Sequence, residues 1–183
     1  MSRLSTIQPE GAEGAAKALL AQVEKSLGLV PNMTKVMANS PALLEGYLSL
    51  SGALAAGGLG AGVRERIAIA VAEVNKCAYC LSAHTYIGSH LAKIDEAELD
   101  AARQTKSQDG HTEAILQLAA AVVRDRGEIS DALFEQVRAA GVSDQEIAET
   151  VGHVAVNVLT NLFNKLAGVE NDWPVVTPYP HAA

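Results

Sequence analysis

Apolar residues recur every three or four positions along most of the chain, which is the spacing of one face of an α-helix. Residues 12–27 show this pattern before a glycine and a proline interrupt it. A second helix is predicted from Pro41, with Ser40 as its N-cap and two glycines at 57–58 as its end. A third covers residues 62–76, where apolar residues occupy more than one face, so we expect that helix to be buried.

The same spacing continues through the second half of the chain. A short helix follows a predicted cap at Asp95, and two amphipathic helices, each closed by glycine, are predicted at 111–127 and 130–141. Ser143, three residues before Glu146, begins a capping sequence. We therefore expect one long final helix that ends near residue 166.

Composition supports a helical protein. Apolar residues make up 49% of the chain and aromatic residues only 4%, a mixture that favours closely packed helices over strands rich in aromatic and β-branched residues. A single core usually holds about 100 to 200 residues. We predict an all-α protein that forms one domain over residues 1–183, with a proline-containing tail at about 169–183.

The charge of the chain argues against nucleic acid as a partner. The net charge is -7, and the basic residues are dispersed, whereas nucleic-acid binding requires clustered Lys and Arg. The sequence also has no signal-peptide pattern and no apolar stretch of roughly 20 residues, so we expect a cytoplasmic protein that does not enter membranes. In a reducing compartment, two cysteines are more often catalytic or metal-binding than structural.

Both cysteines and a histidine fall within the segment EVNKCAYCLSAH. On a helix that begins near Cys77, the side chains of Cys77, Cys80 and His84 lie on one stripe. The positive end of the helix dipole lowers the pKa of a nearby thiol, and this argument alone favours Cys77 as the more acidic cysteine. His84 is placed to exchange a proton with Cys80.

A carboxylate is expected to complete a proton relay with His84, and two glutamates are candidates. If the chain reverses around residues 75–77 into an antiparallel helical hairpin, Glu65 comes level with His84. Glu73 stays close to the turn and to Cys77. We favour Glu65 and keep Glu73 as the second candidate.

Other interpretations of these residues are simpler. The cysteines could be small core residues, and Glu65, flanked by two arginines, could form a surface ion pair. A zinc site is a further alternative, but Cys77, Cys80 and His84 supply three ligands where a structural zinc site takes four. We therefore predict no metal and no cofactor.

The sequence resembles the AhpD-like alkylhydroperoxidase group of the carboxymuconolactone decarboxylase superfamily, especially its peroxidase-related branch. The resemblance rests on the LGLVPNM segment, on residues 152–174, and on a glutamate twelve residues before a CxxC motif with a histidine four residues after it. It implies an all-helical fold that assembles into homo-trimers or homo-hexamers. It also implies reduction of hydroperoxides through the two cysteines, with an external thiol or dithiol as electron donor.

The resemblance further implies individual roles. Peroxide would attack Cys80, Cys77 would resolve the product as a disulfide, and Glu65 and His84 would carry protons. The order of the two cysteines stays open, because the helix dipole favours Cys77. Tyr79 stands where some AhpD proteins carry a histidine. The alternatives are a carboxymuconolactone decarboxylase-type lyase and a redox sensor without turnover.

The final predicted helix carries a polar seam (His153, Asn157, Asn161 and Asn164) on an otherwise apolar sequence. A buried seam must find hydrogen-bond partners. We favour hydrogen bonds between helices or subunits over a place in the active site. We also expect the tail to pack on a neighbouring subunit, near the opening of the active site.

Overall fold

The computed structural model describes residues 2–180, so Met1 and the end of the predicted tail, 181–183, lie outside the described part. Within residues 2–180 the regular structure is helical, with nine α-helices, one short 3-10 helix at Pro9–Gly11 and no strand. The prediction of an all-α fold is confirmed. None of the helices in this part of the chain is long and apolar enough to span a membrane.

The nine helices follow one another with short connections. In chain order they are α1 (Gly14–Leu27), α2 (Asn32–Met37), α3 (Pro41–Ala55), α4 (Ala61–Val74), α5 (Ala78–His90), α6 (Glu96–Arg103), α7 (Gly110–Arg124), α8 (Asp131–Ala139) and α9 (Asp144–Ala167).

Side-chain caps begin several of these helices, as the sequence predicted. The side chain of Ser40 accepts a hydrogen bond from the first turn of α3, and that of Asp95 does the same for α6. Ser143 and Glu146 form a full capping box at the start of α9. The left-handed Gly168 ends α9 one residue beyond the predicted end.

Helix α2 was not predicted, because six residues are too few to show a helical period. A helix this short is not stable alone, so tertiary packing must stabilise it. Four of its side chains are buried, those of Met33, Thr34, Val36 and Met37. This packing places α2 beside the cysteine helix.

Helix α4 lies at the centre of the molecule and packs against α5, α6, α7 and α9. Its residues from Ile67 to Glu73 are all buried, which matches the prediction of a buried third helix. Helix α5, which carries both the second cysteine and His84, therefore lies on a rigid support.

Up to residue 180 the C-terminal tail makes contacts with its own chain, and additional packing on a neighbouring subunit stays a prediction. The N–H of Val176 donates to Ser82 Oγ at 2.9 Å, and the N–H of Tyr179 donates to Glu73 Oε1 at 2.7 Å. The reason is topological: the tail starts where α9 ends, and α9 itself packs against α4 and α5.

Candidate active site

Two free cysteines meet at the start of α5. Cys77 is the N-cap residue, and its Sγ accepts the N–H of Cys80 at 3.3 Å. The two Sγ atoms are 2.8 Å apart, with the thiol of Cys77 donating to the sulfur of Cys80. Both residues are almost completely buried, at 1% and 2% exposure. A disulfide between them would need only a small movement.

A cavity of about 500 Å³ distinguishes the two cysteines. Cys80 lines this cavity together with residues of α1, α2, α3, α4, α5 and α9, whereas Cys77 lies behind it. A molecule of the usual ligand size fits a cavity of this volume. Such a molecule would meet the sulfur of Cys80 and not that of Cys77.

Hydrogen bonds shift the pKa values of the two thiols in opposite directions. The thiol of Cys77, which donates to Cys80, lowers the pKa of Cys80, and this outweighs burial, which raises it. Asn164 Nδ2 donates to the same sulfur at 3.1 Å and lowers the pKa further. The pKa of Cys77 is raised, first because its proton is held in the hydrogen bond to Cys80 and then by burial. Cys80 is therefore the thiolate.

This order is the reverse of the one that the helix dipole suggested. The dipole acts on both residues, because both lie in the first turn of α5. Cys80 additionally receives donors from α9 and the positive charge of His84, and Cys77 receives neither. The local hydrogen bond from Cys77 to Cys80 is the largest cause of this order, and the contacts of Cys80 with α9 and His84 add to it.

A histidine and a carboxylate lie beside the thiolate. His84 Nδ1 is 2.8 Å from Glu65 Oε2, and the two side chains are 25% and 20% exposed. Burial lowers the pKa of His84, but the charge and hydrogen bond of Glu65 and the charge of Cys80 outweigh burial, so that its pKa is raised. This arrangement favours a protonated imidazole next to the sulfur.

Glu73, the second candidate for the relay, is engaged elsewhere. It is 5% exposed and accepts hydrogen bonds from Arg103 Nε at 2.9 Å and from the tail at Tyr179. Lys76 Nζ approaches it at 3.3 Å. These contacts make Glu73 an anchor for the tail, and Glu65 is the glutamate in contact with His84.

The polar seam of α9 faces this site. Asn161 accepts a hydrogen bond from Asn75 at 2.8 Å, which is the predicted contact between segments, and it also lowers the pKa of Cys80. Asn164 contacts the Cys80 sulfur, while His153 and Asn157 line the cavity. Asn161 thus has the predicted packing role, whereas the other three residues of the seam contact the Cys80 sulfur or the cavity.

Several lining residues were not identified from the sequence. Tyr47 lines the cavity, and burial, followed by the charges of Cys80 and Glu65, raises its pKa to about 12. The hydroxyl of Tyr79 accepts the N–H of Met33 at 3.2 Å, so this residue joins α5 to α2. Trp173 of the tail also lines the cavity. Helical spacing alone gave no signal for these residues, since they come from separate segments.

Metal ligands are not grouped at this site. Within residues 2–180, no three His, Cys, Asp or Glu side chains are arranged to hold a metal ion. The Nδ1 atom of His84 is hydrogen-bonded to Glu65 Oε2.

Residues 41–104 match the Carboxymuconolactone decarboxylase family. The matched segment covers α3 to α6 and contains Glu65, Cys77, Cys80 and His84. No curated protein matches the chain significantly.

Solved structures share the fold over nearly the whole chain. An uncharacterized peroxidase-related protein with an alkylhydroperoxidase AhpD core, from Ralstonia eutropha JMP134, is 25% identical, with a TM-score of 0.83 over 93% of this chain and 92% of that one. An uncharacterized peroxidase-related protein from Silicibacter sp. TM1040 is 24% identical, with a TM-score of 0.78 over 92% and 91%.

A third similar structure is a Cys-to-Ala variant of the debrominase Bmp8 in complex with 2,3,4-tribromopyrrole. It is 18% identical, with a TM-score of 0.79 over 92% of this chain and 91% of that one. At this identity the similarity concerns the fold alone. The family match over residues 41–104 and the shared AhpD-like fold together confirm the resemblance to the superfamily of AhpD-like and carboxymuconolactone decarboxylase proteins.

Proposed function

We propose that this protein is a thiol-dependent peroxidase that reduces organic hydroperoxides through Cys80 and Cys77. The observation that carries the proposal is the position of the Cys80 sulfur. It lines the cavity, its pKa is lowered, and the Cys77 sulfur lies 2.8 Å behind it. Thiolates are the reactive form of cysteine, and a second thiol within reach resolves the oxidised product.

In the first proposed step, the Cys80 thiolate attacks the outer oxygen of the hydroperoxide. The O–O bond breaks, the sulfur becomes a sulfenic acid, and the alkoxide that leaves takes the proton held by His84. Glu65 orients His84 and favours its protonated form. The products of this step are an alcohol and the oxidised cysteine.

In the second step, the Cys77 sulfur attacks the sulfenic sulfur of Cys80. Its thiol proton and the sulfenic hydroxyl leave together as water, and the disulfide forms. An external dithiol then restores both thiols by thiol–disulfide exchange. Two thiols thereby reduce one hydroperoxide to one alcohol and one water.

The size of the cavity favours an organic substrate over hydrogen peroxide. About 500 Å³ is far more than a hydrogen peroxide molecule fills. The side chains that surround it include Val23, Leu48 and Val156. An apolar group attached to the hydroperoxide would displace water from these side chains and gain binding free energy.

A single turnover without any donor tests the proposal. One equivalent of cumene hydroperoxide should remove both free thiols, form one disulfide within the chain and yield one equivalent of cumyl alcohol. Thiol titration, intact mass and chromatography of the alcohol measure the three changes. Two free thiols that persist while the peroxide disappears would contradict the mechanism.

A further inference from the structure

The cavity extends well beyond the two cysteines. Asn161 and Asn164 act on the Cys80 sulfur, whereas His153 lines the cavity two to three helical turns closer to the start of α9. At 1.5 Å per residue this separation is about 12 to 16 Å along the helix axis. Arg64, on α4, lines the same cavity.

The charge of Arg64 is not neutralised by a neighbouring carboxylate. Its Nη1 donates to the carbonyl oxygen of Leu59 at 2.7 Å, which is a neutral partner. Within residues 2–180 no ion pair involves this guanidinium. Of the nearby carboxylates, Glu65 is bonded to His84, and Glu149 accepts two backbone N–H groups. Arg64 therefore brings a positive charge without an ion-pair partner to the cavity wall.

His153 adds unused hydrogen-bonding capacity beside this charge. It is 6% exposed, and its Nε2 is buried without a partner among the described residues. Burial and then the charge of Arg64 lower its pKa by more than the charges of Glu149 and Glu65 raise it, so the imidazole is neutral at neutral pH. A buried polar atom without a partner is costly unless a ligand satisfies it.

We propose that Arg64 and His153 form a subsite for the carboxylate of a substrate whose apolar body fills the cavity and whose other end reaches Cys80. Guanidinium groups bind carboxylates through charge-assisted hydrogen bonds, and a neutral imidazole can donate one more. The substrate class is thus an amphipathic organic acid with an apolar chain. That this acid also carries the hydroperoxide rests on the proposed function, whereas its binding does not.

Trp173 makes the subsite measurable without turnover. It is the single tryptophan of the chain and lines the cavity, so its fluorescence should respond to occupancy. The reduced full-length protein is titrated with decanoate and with decanol, which differ only in the head group. We expect decanoate to bind more tightly, by about tenfold or more, as charged hydrogen bonds usually contribute.

Substitutions of Arg64 test whether this residue causes the preference for decanoate over decanol. In Arg64→Gln the affinity for decanoate should fall to that for decanol, while Arg64→Lys should retain a preference because it keeps the charge. Arg124→Gln, an exposed arginine at the end of α7, is the matched control and should bind both ligands as the wild type does.

His153→Phe provides an independent test, since it keeps an aromatic ring and removes the nitrogen atoms. We expect weaker binding of decanoate and unchanged binding of decanol. Equal affinity of the wild type for both ligands, or an undiminished preference in both Arg64→Gln and His153→Phe, would overturn the subsite. A protein that binds decanoate selectively but reduces no hydroperoxide would refute the proposed function and leave the subsite standing.

Discussion

The charge of the Cys80 sulfur results from a competition between burial and hydrogen bonding. Burial alone raises the pKa of a thiol, and Cys80 is 2% exposed. Donors from Cys77 and Asn164, together with the positive His84, outweigh burial and lower its pKa. The same contacts that hold Cys80 in place therefore keep it reactive at neutral pH.

Substituting each cysteine in turn should give different products. Cys80→Ser should abolish peroxide reduction, because the sulfur that lines the cavity is lost. Cys77→Ser should react once and then over-oxidise to the sulfinic acid, because no thiol resolves the sulfenic acid. Intact mass after exposure to peroxide distinguishes the two outcomes, and the opposite pattern would exchange the roles of the two residues.

His84 should control how reactivity depends on pH. A lowered Cys80 pKa means that the thiolate persists as the pH falls below the usual thiol range, and a raised His84 pKa means that the imidazolium persists as the pH rises. Both charges therefore coexist around neutral pH. In His84→Ala the midpoint for alkylation of Cys80 by iodoacetamide should move to higher pH, because a positive charge is removed.

Peroxide reduction by His84→Ala at neutral pH should be slower by roughly 10² to 10⁴, the usual contribution of a positioned proton donor. His90→Ala is the matched control, since His90 lies exposed at the end of the same helix and stacks on Tyr86. Equal rates and equal alkylation midpoints in the two variants would remove His84 from the mechanism.

Among the helices, α9 contributes most to the chemistry without supplying a reacting group. Its polar seam presents amides to the sulfur at one end and an imidazole to the cavity at the other. Because the seam lies on a long helix with a full capping box, its spacing is held rigidly. The helix thus fixes the distance between the thiolate and the rest of the cavity.

Asn164→Leu tests this contribution of α9. Loss of the donor to Cys80 should raise the thiol pKa from about 6 and slow alkylation of Cys80 at pH 7 by roughly 2- to 15-fold, since a hydrogen bond to a charged group contributes about 1.5 to 3 kcal/mol. Asn157→Leu is the matched control, because Asn157 Nδ2 donates to the backbone oxygen of His153 and not to sulfur. Equal alkylation rates in Asn164→Leu and the wild type would contradict the assigned role.

Contacts across one short turn could be predicted from the sequence, and contacts between distant segments could not. Glu65 was placed near His84 because both positions follow from the register of two helices joined by a few residues. Arg64, Tyr47 and Trp173 line the same cavity from different parts of the chain, so no local pattern brings them together. The pKa of Cys80 is lowered first by the hydrogen bond from Cys77 and then by that from Asn164, 84 residues away, and the dipole argument included neither contact.

At the scale of the whole molecule, the tail forms part of the cavity wall. Trp173 lines the cavity and contacts Tyr86, with ring centroids 5.4 Å apart. The guanidinium carbon of Arg103 lies over the ring of Tyr179, 3.7 Å from its centroid. The tail is therefore anchored at Tyr179 and limits the cavity at Trp173. We expect it to restrict the size of the substrate.

Trp173→Ala should widen the cavity and raise kcat/KM for bulky hydroperoxides relative to hydrogen peroxide. Cumene hydroperoxide and hydrogen peroxide are compared under steady-state conditions. Tyr179→Phe loses a hydrogen bond to Asp100 but does not line the cavity, so it should keep the wild-type ratio. An unchanged ratio in Trp173→Ala would show that the tail does not select the substrate.

The outer face of α9 supports the prediction of a homo-oligomer. Val151, Leu162 and Leu166 are 48%, 58% and 68% exposed on this one helix. Exposed apolar residues that form a contiguous patch usually mark an interface. We expect a trimer or hexamer that buries this face, as the family resemblance implies.

Leu162→Glu tests this assembly, because a charge buried at the interface would destabilise it. Light scattering measures the mass in solution. The variant should have a smaller mass in solution than the wild type. Leu91→Glu, at a site that is 65% exposed outside α9, serves as the control and should leave the mass unchanged. A monomeric wild-type protein would refute the prediction.

The number of hydroperoxide molecules reduced per subunit tests the central claim most directly. Cumene hydroperoxide is supplied in excess with a lipoyl, thioredoxin-like or glutathione donor, and its consumption is followed to completion. A thiol peroxidase consumes many equivalents with at least one of these donors, and Cys80→Ser consumes none. Consumption that stops at one equivalent with every donor would indicate a sensor, and no consumption by the wild type would indicate a lyase in which the cysteines are incidental.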